Sequence, residues 1–323
     1  MNRRTDRRGH RAALSLRGAV VASAGFALCF ATAVPAGASS LSGSLDPAAS
    51  TAASTMATGG CGKAPTMKNG TYSLQVNGKN RTYILRLPDN YNNKQEYRLV
   101  FAFHWLGGNA TDVANGQTVQ PYYGLQSLAN NSTIFVAPQG LTSGMGSGWA
   151  NSGNEDLAFV DSMIKTIEAD LCVDTTQLFS LGFSYGGGMS YAIACDRPDV
   201  FRAVAIYSGA VLSGCSAGSK PIAYMQAHGV SDTVLNISSA RTMRDRFARN
   251  NGCTAQNPTD PNQGSRTHTK ITFSGCSAGH PLVWYGFDGG HTPVPQDNSG
   301  TWLPAETWKF FSQFKTATTS STK

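Results

Sequence analysis

Leu178-Phe179-Ser180-Leu181-Gly182-Phe183-Ser184-Tyr185-Gly186-Gly187-Gly188 runs from an apolar, strand-like tetrad through a GxSxG turn into a segment of helical period, Tyr185–Arg197. The order matters more than the pentapeptide, because a chain with 35 glycines meets GxSxG often by chance. A serine on a tight turn between strand and helix sits in a strained backbone with its hydroxyl exposed, and its neighbours must be glycines because a Cβ there would strike the adjoining strand and helix. Gly182, Gly186, Gly187 and Gly188 meet that need. Ser184 is therefore the candidate nucleophile, and a serine hydroxyl needs a base to take its proton and an acid to orient the base.

Working outward, short β-branched and aromatic runs alternate with helical patterns. Strands are expected at Tyr72–Val76, Thr82–Leu87, Leu99–His104, Ile134–Ala137, Leu178–Gly182, Ala203–Ser208, Ile222–His228 and Leu282–Phe287. Several are apolar at every position, as in strands covered on both faces. Helices are expected at Leu157–Leu171, with Asn154 as a start signal, and at Pro121–Ala129, Tyr185–Arg197, Ser238–Asn250 and Pro304–Lys315. Strand followed by helix, repeated, predicts a mainly parallel central sheet covered by helices on both faces, and the GxSxG turn between strand and helix makes the expected fold that of an α/β-hydrolase.

That fold brings its triad in the order Ser, Asp or Glu, His. His291 lies in Gly289-Gly290-His291, directly after the expected strand Leu282–Phe287, at the sheet's carboxyl edge. His280 precedes that strand and His268 sits in a polar stretch, so both are read as surface or turn residues. Asp232 ends the loop His228-Gly229-Val230-Ser231-Asp232 after another strand and is the candidate acid, with Asp288 as runner-up and His228 as a brace for the loop. Two backbone N–H groups must also face the developing oxyanion. Tyr185 N–H follows the nucleophile, and Leu106 N–H is the second choice, within His104-Trp105-Leu106-Gly107-Gly108-Asn109.

At the amino end, Arg3, Arg4, Arg7, Arg8 and Arg11 precede an apolar run that closes on Ala36-Gly37-Ala38. The pattern predicts a signal peptide over 1–38 and a secreted, extracellular protein. The leader holds six of the chain's 26 basic and one of its 19 acidic residues, so the remainder is close to neutral and gives no case for nucleic-acid or membrane partners. Residues 39–60, rich in Ser, Ala, Thr and Gly, read as a disordered linker, with one catalytic domain over 61–317. Cys61, Cys172, Cys195, Cys215, Cys253 and Cys276 remain after the leader; the favoured pairing is 61–172, 195–215 and 253–276 because two of these close local loops. No spacing suits zinc, and neither metal nor cofactor is expected.

These motifs, in order over nearly the whole domain, resemble the secreted feruloyl esterases of carbohydrate esterase family 1, chiefly the type C group, and the related polyhydroxybutyrate depolymerase-like esterases. The resemblance carries the catalytic roles onto Ser184, Asp232 and His291 and the oxyanion loop onto the region of Leu106. It implies feruloyl esters of plant arabinoxylan as substrates, a monomeric enzyme, and an aromatic-lined acyl pocket, for which Trp105, Tyr122, Tyr123, Trp149, Tyr185 and Trp284 are available. Trp105 departs from the broader pattern, where glycine often follows the histidine. Acetylxylan esterase and polyhydroxyalkanoate depolymerase share every catalytic residue and remain alternatives. More remote are an acyltransferase and a non-catalytic binding protein on the same scaffold. The Cys253–Cys276 segment is expected either as a rim near His291 or as an inert insertion.

Overall fold

The computed structural model describes residues 58–314. The expected leader, residues 39–57 of the expected linker and residues 315–317 lie outside them. Thr58–Gly60, assigned to the linker on composition, belong to the folded body instead. Thr58 Oγ1 donates to the Leu171 carbonyl at 2.7 Å and accepts from Val173 N–H at 3.0 Å, and Gly60 N–H donates to the Glu168 carbonyl at 3.2 Å. Polar backbone and hydroxyl groups hold this stretch beside the Cys61–Cys172 disulfide, so its order needs no apolar side chain.

In chain order the strands are β1 (Gly70–Val76), β2 (Lys79–Arg86), β3 (Tyr97–Phe103), β4 (Thr133–Pro138), β5 (Leu141–Ser143), β6 (Gly146–Gly148), β7 (Val173–Phe183), β8 (Ala203–Tyr207), β9 (Ala223–Gly229), β10 (His268–Thr272), β11 (Leu282–Phe287), β12 (Gln296–Asp297) and β13 (Gly300–Thr301). The helices are α1 (Ala110–Asn115), α2 (Leu125–Ala129), α3 (Glu155–Asp170), α4 (Tyr185–Asp196), α5 (Ile237–Asn250) and α6 (Leu303–Ser312). The main sheet runs β1-β2-β4-β3-β7-β8-β9-β11-β10. Strands β4, β3, β7, β8, β9 and β11 are mutually parallel, while β1, β2 and β10 are antiparallel additions at the two sides.

The central strands are buried on both faces, as their unbroken apolar runs predict. Along β3, Leu99, Phe101 and Phe103 enter one core cluster with the apolar faces of α3, α4 and α5. Val100 and Ala102 enter the other, with α1, α2 and α6. The sheet is thus sandwiched as expected, and the carboxyl ends of its parallel strands form one edge. Asn77 and Gly78, at φ 50° and 73°, make the tight turn joining β1 to β2.

Three expectations need correction. The single helix over Pro121–Ala129 is broken: Tyr122 (φ 50°, ψ 46°) and Tyr123 (φ 56°, ψ 32°) are left-handed, and only Leu125–Ala129 is α-helical. The left-handed pair turns both rings inward, a tertiary demand that helical spacing does not register. Asn154 does precede α3, but it is left-handed and its side chain caps nothing. Asn151 does that work, its side-chain oxygen accepting the N–H groups of Asp156 and Leu157 at 3.1 Å each. Finally, the Cys253–Cys276 segment contains a strand of the main sheet, β10, paired along β11.

The candidate active site

Ser184 stands between β7 and α4 with φ 54° and ψ −115°, a backbone that only strong surroundings sustain for a residue with a Cβ. Its N–H donates to the Tyr207 carbonyl at the end of β8 at 2.9 Å, and its carbonyl accepts Gly188 N–H at 3.0 Å. A Cβ at Gly186 would lie 2.1 Å from the Phe103 carbonyl oxygen. Glycine there lets the first turn of α4 settle onto the end of β3.

On the neighbouring strand ends, His291 Nδ1–H donates to Asp232 Oδ2 at 2.7 Å. The other carboxylate oxygen, Oδ1, accepts the N–H groups of Val234 and Leu235 at 2.9 and 2.8 Å. Asp232 is buried, and three donors in fixed directions keep its charge aimed at the imidazole. The His291 ring packs on the Phe183 ring at 4.6 Å between centroids, beside the residue that precedes Ser184. His228 braces this loop as expected: its Nε2–H donates to the Leu235 carbonyl at 2.7 Å and lies 3.3 Å from Asp232 Oδ2. Burial lowers its pKa, so it is held as a neutral ring.

The runner-up acid has a different task. Asp288 accepts the N–H groups of Gly264 and Arg266 at 3.0 and 2.7 Å, tying the Cys253–Cys276 segment to the loop that leads to His291. His280 contacts Ser277 in a turn. His268 lies on β10, 2.8 Å from Asp297 and stacked on Trp302.

The loop after β3 is pinned at three successive carbonyls. Tyr123 O–H donates to Phe103 at 2.7 Å, Trp149 Nε1–H to His104 at 2.8 Å, and His104 Nδ1–H to Trp105 at 2.7 Å. Gly140 N–H donates to His104 Nε2 at 2.9 Å, so the ring is a neutral Nδ1–H tautomer. Burial drives its pKa down to about 4. Gly107 and Gly108 donate to the carbonyls of Ser147 and Trp105 at 2.8 and 3.0 Å. Leu106 N–H, between these engaged groups, takes no backbone carbonyl among the described residues. Tyr185 opens α4, where a helix's own ladder offers its N–H no acceptor. Both N–H groups remain available at the edge that carries Ser184.

Four of the six rings named for the acyl pocket pack inside the body of the protein. Trp149, Tyr122, Tyr123 and Trp284 are buried and line no open surface. Trp149 packs on Phe103 and His104, Tyr122 on Phe135 and Tyr123 on Tyr207, while Trp284 lies under the Arg244 guanidinium with its indole N–H on Asp260. Side-chain type alone does not reveal which face of an element a ring occupies. Trp105 and Tyr185 are partly accessible. What sequence reasoning missed is a set of exposed aliphatic side chains on loops at the same edge: Leu106 after β3, Met145 between β5 and β6, Val211 and Leu212 after β8, Val234 after β9 and Val294 after β11. Their common place after strand carboxyl ends was the available signal. A recess of about 580 Å³ lined by Asp89, Gln120, Gln126 and Asn130 lies beyond the opposite end of β4 and contains none of Ser184, Asp232 and His291. Among the described residues no group of three His, Cys, Asp or Glu side chains is arranged to hold a metal ion.

The family model described as esterase PHB depolymerase matches residues 82–251, which include β3, Ser184 and Asp232. The chain belongs to this esterase family. The esterase is 48% identical over 252 residues to "Probable feruloyl esterase C" of Aspergillus clavatus, an alignment covering 78% of this chain and 89% of the relative. It is 46% identical over 265 residues to feruloyl esterase D of Neurospora crassa, covering 79% and 90%. Among solved structures, the acetyl xylan esterase from Aspergillus awamori superposes with a TM-score of 0.56 at 17% identity, over 75% of the esterase and 99% of that chain. A CE1 ferulic acid esterase from Anaeromyces mucronatus gives 0.50 at 17%, over 76% and 89%. At such identities these two likenesses establish the α/β-hydrolase fold of the esterase. The three expected disulfides, 61–172, 195–215 and 253–276, are all formed.

Proposed function

We propose that this protein is a secreted, monomeric serine esterase that hydrolyses feruloyl esters of plant cell-wall polysaccharide through an acyl-enzyme. Ser184 Oγ attacks the ester carbonyl, His291 Nε2 takes its proton, and Asp232 holds the imidazole in the tautomer that leaves Nε2 free. Leu106 and Tyr185 N–H groups receive the oxyanion. The proton then passes to the departing sugar hydroxyl, and a water activated by the same imidazole releases the acid and restores Ser184.

The observation that carries this reading is the 2.7 Å contact of Asp232 with His291, set beside a serine whose φ is 54°. For the substrate, support comes from the feruloyl esterases aligned over most of the chain and from the aliphatic side chains exposed at the site's edge, which suit an apolar acyl group. Three disulfides accord with export to an oxidising compartment, and no helix among the described residues is long and apolar enough to cross a membrane.

Acetyl ester hydrolysis is the second reading, favoured by the burial of four rings once expected to line an aromatic pocket. Rates on methyl ferulate, acetylated xylan and a short polyhydroxyalkanoate, with Ser184→Ala as control, separate the two. Ferulate release should dominate and vanish in S184A. Dominant acetate or hydroxybutyrate release overturns the acyl preference, and full activity in S184A overturns the mechanism.

A further inference from the structure

Strands β3 and β7 carry the two halves of the proposed oxyanion site, and their parallel register ends at the pair Phe103–Gly182. One residue further, β3 becomes the loop of Leu106 and β7 becomes the turn of Ser184. Nothing in the ladder fixes how far apart the two chains travel from there. The Tyr123 hydroxyl stands in that gap. It donates to the Phe103 carbonyl at 2.7 Å and accepts Phe183 N–H at 3.3 Å, so one side-chain oxygen replaces the missing rung.

The hydroxyl reaches this point at a cost. Tyr122 and Tyr123 are consecutive non-glycine residues in the left-handed region, which costs roughly 1–2 kcal/mol for each such residue. Strain of this kind persists where surrounding structure demands it, and it concentrates at functional sites. The Tyr123 ring is buried and meets Tyr207 edge to face at 5.6 Å, which leaves its hydroxyl little freedom to move away. Tyr224, near the start of β9, is buried as well, but its hydroxyl donates to Gln226 Oε1 on its own strand at 2.8 Å.

We infer that Tyr123 is a positioning residue for ester hydrolysis: its hydroxyl joins the end of β3 to the end of β7 and thereby sets the spacing of the Leu106 and Tyr185 N–H groups. The inference rests on the serine-esterase reading above. It takes Tyr123 out of the acyl pocket and assigns it to the support of the oxyanion.

Tyr123→Phe deletes the hydroxyl and keeps the ring. Assayed on methyl ferulate well below its melting temperature, with active sites counted by a phosphonate titrant, Y123F should show kcat about 10- to 100-fold lower, with KM within about twofold of wild type. Affinity for phenylboronic acid, whose tetrahedral adduct occupies the oxyanion position, should fall in step with kcat. Tyr224→Phe, which removes an equally buried phenol hydroxyl, should lose melting temperature and keep kcat. A kcat within about twofold of wild type in fully folded Y123F overturns the inference, as does an equal loss of kcat in Y224F. If Y123F yields no folded protein, wild-type enzyme carrying Cζ-labelled tyrosine takes over the test: the Tyr123 resonance should shift on boronate binding, and an unmoved resonance overturns the assignment. S184A in the same assay keeps the two readings apart, since its inactivity beside a fully active Y123F removes only the role of Tyr123.

Discussion

The two halves of the catalytic edge are built by different means. Around Ser184 and Leu106 the fixed points are neutral: backbone carbonyls of Phe103, His104 and Trp105 capped by buried tyrosine, tryptophan and histidine donors, and a glycine that lets helix meet strand. Around His291 the fixed point is one carboxylate, Asp232, with donors from two backbone N–H groups and the imidazole. The difference follows from what each half does. Backbone dipoles must stay aimed at one place throughout the reaction, and steric locking achieves that without altering their charge. An imidazole must gain and lose a proton each turnover, and a buried anion beside it makes the charged state affordable.

The largest effects should come from the reacting groups themselves. Ser184→Ala should lower kcat by about 10⁶-fold and Asp232→Asn by about 10⁴-fold. D232N should also lower the melting temperature, because two backbone donors and a histidine lose their charged acceptor, whereas S184A should leave melting nearly unchanged. Equal melting losses in the two variants would erase the contrast between the halves.

Next comes steric locking. Gly186→Ala puts a Cβ 2.1 Å from the Phe103 carbonyl oxygen, while Gly289→Ala on the histidine side meets only the Phe287 ring at 3.1 Å. We expect G186A to lose about 4 kcal/mol, a melting shift of roughly 10 °C, and G289A to lose less than half as much. Thermal melts of the two proteins rank the halves directly.

Acid should act on both halves through their buried histidines. Burial lowers the pKa of His104 to about 4 and that of His228 in the same direction. Between the unfolded histidine value near 6.5 and about 4, the unfolded chain binds the proton and the folded chain does not, so stability is full above that window and falls as pH drops through it. For His104 the loss is on the order of 3 kcal/mol. Protonating Nε2 would also set an N–H against Gly140 N–H and loosen the Leu106 loop. His104→Asn should flatten the dependence of melting temperature on pH below 6.5; an unaltered slope would deny His104 this part.

The smallest effects separate a wall from an open face. Trp149→Phe removes one buried hydrogen bond and should cost about 1 kcal/mol of stability with little change in KM. Trp105→Ala should change KM on methyl ferulate several-fold and leave the melt alone. The reverse pattern would put Trp149, not Trp105, in contact with substrate.

How far these arrangements could be read in advance depended on the kind of signal. Ser184, Asp232 and His291 were legible because each follows an apolar strand in the order the fold imposes, and a strand's carboxyl end is a property of the sequence. The three disulfides were legible for a related reason: two of the favoured links close short loops. Tyr122 and Tyr123 were misread as helical because left-handed backbone leaves no trace in helical spacing, and the burial of Trp149 and Trp284 was not legible because an indole is equally at home in core or cleft. Asn151 was overlooked because its capping side chain reaches α3 from beyond an intervening turn. β10 was hidden by its half-exposed, polar texture at the sheet's margin, where one face has no core to demand apolar residues.

The Cys61–Cys172 link fastens the start of the described chain just ahead of β7, and Ser184 lies at that strand's far end. Strand β7 bulges between Val173 and Leu178, so seven residues of β3 run alongside ten of β7, and these points lie roughly 25 Å apart. A resin or reporter coupled near residue 61 would therefore grip the enzyme by its heel. The reactive rim would face outward to a bulky polymer, with the linkage and the chemistry meeting only through a rigid rod of sheet.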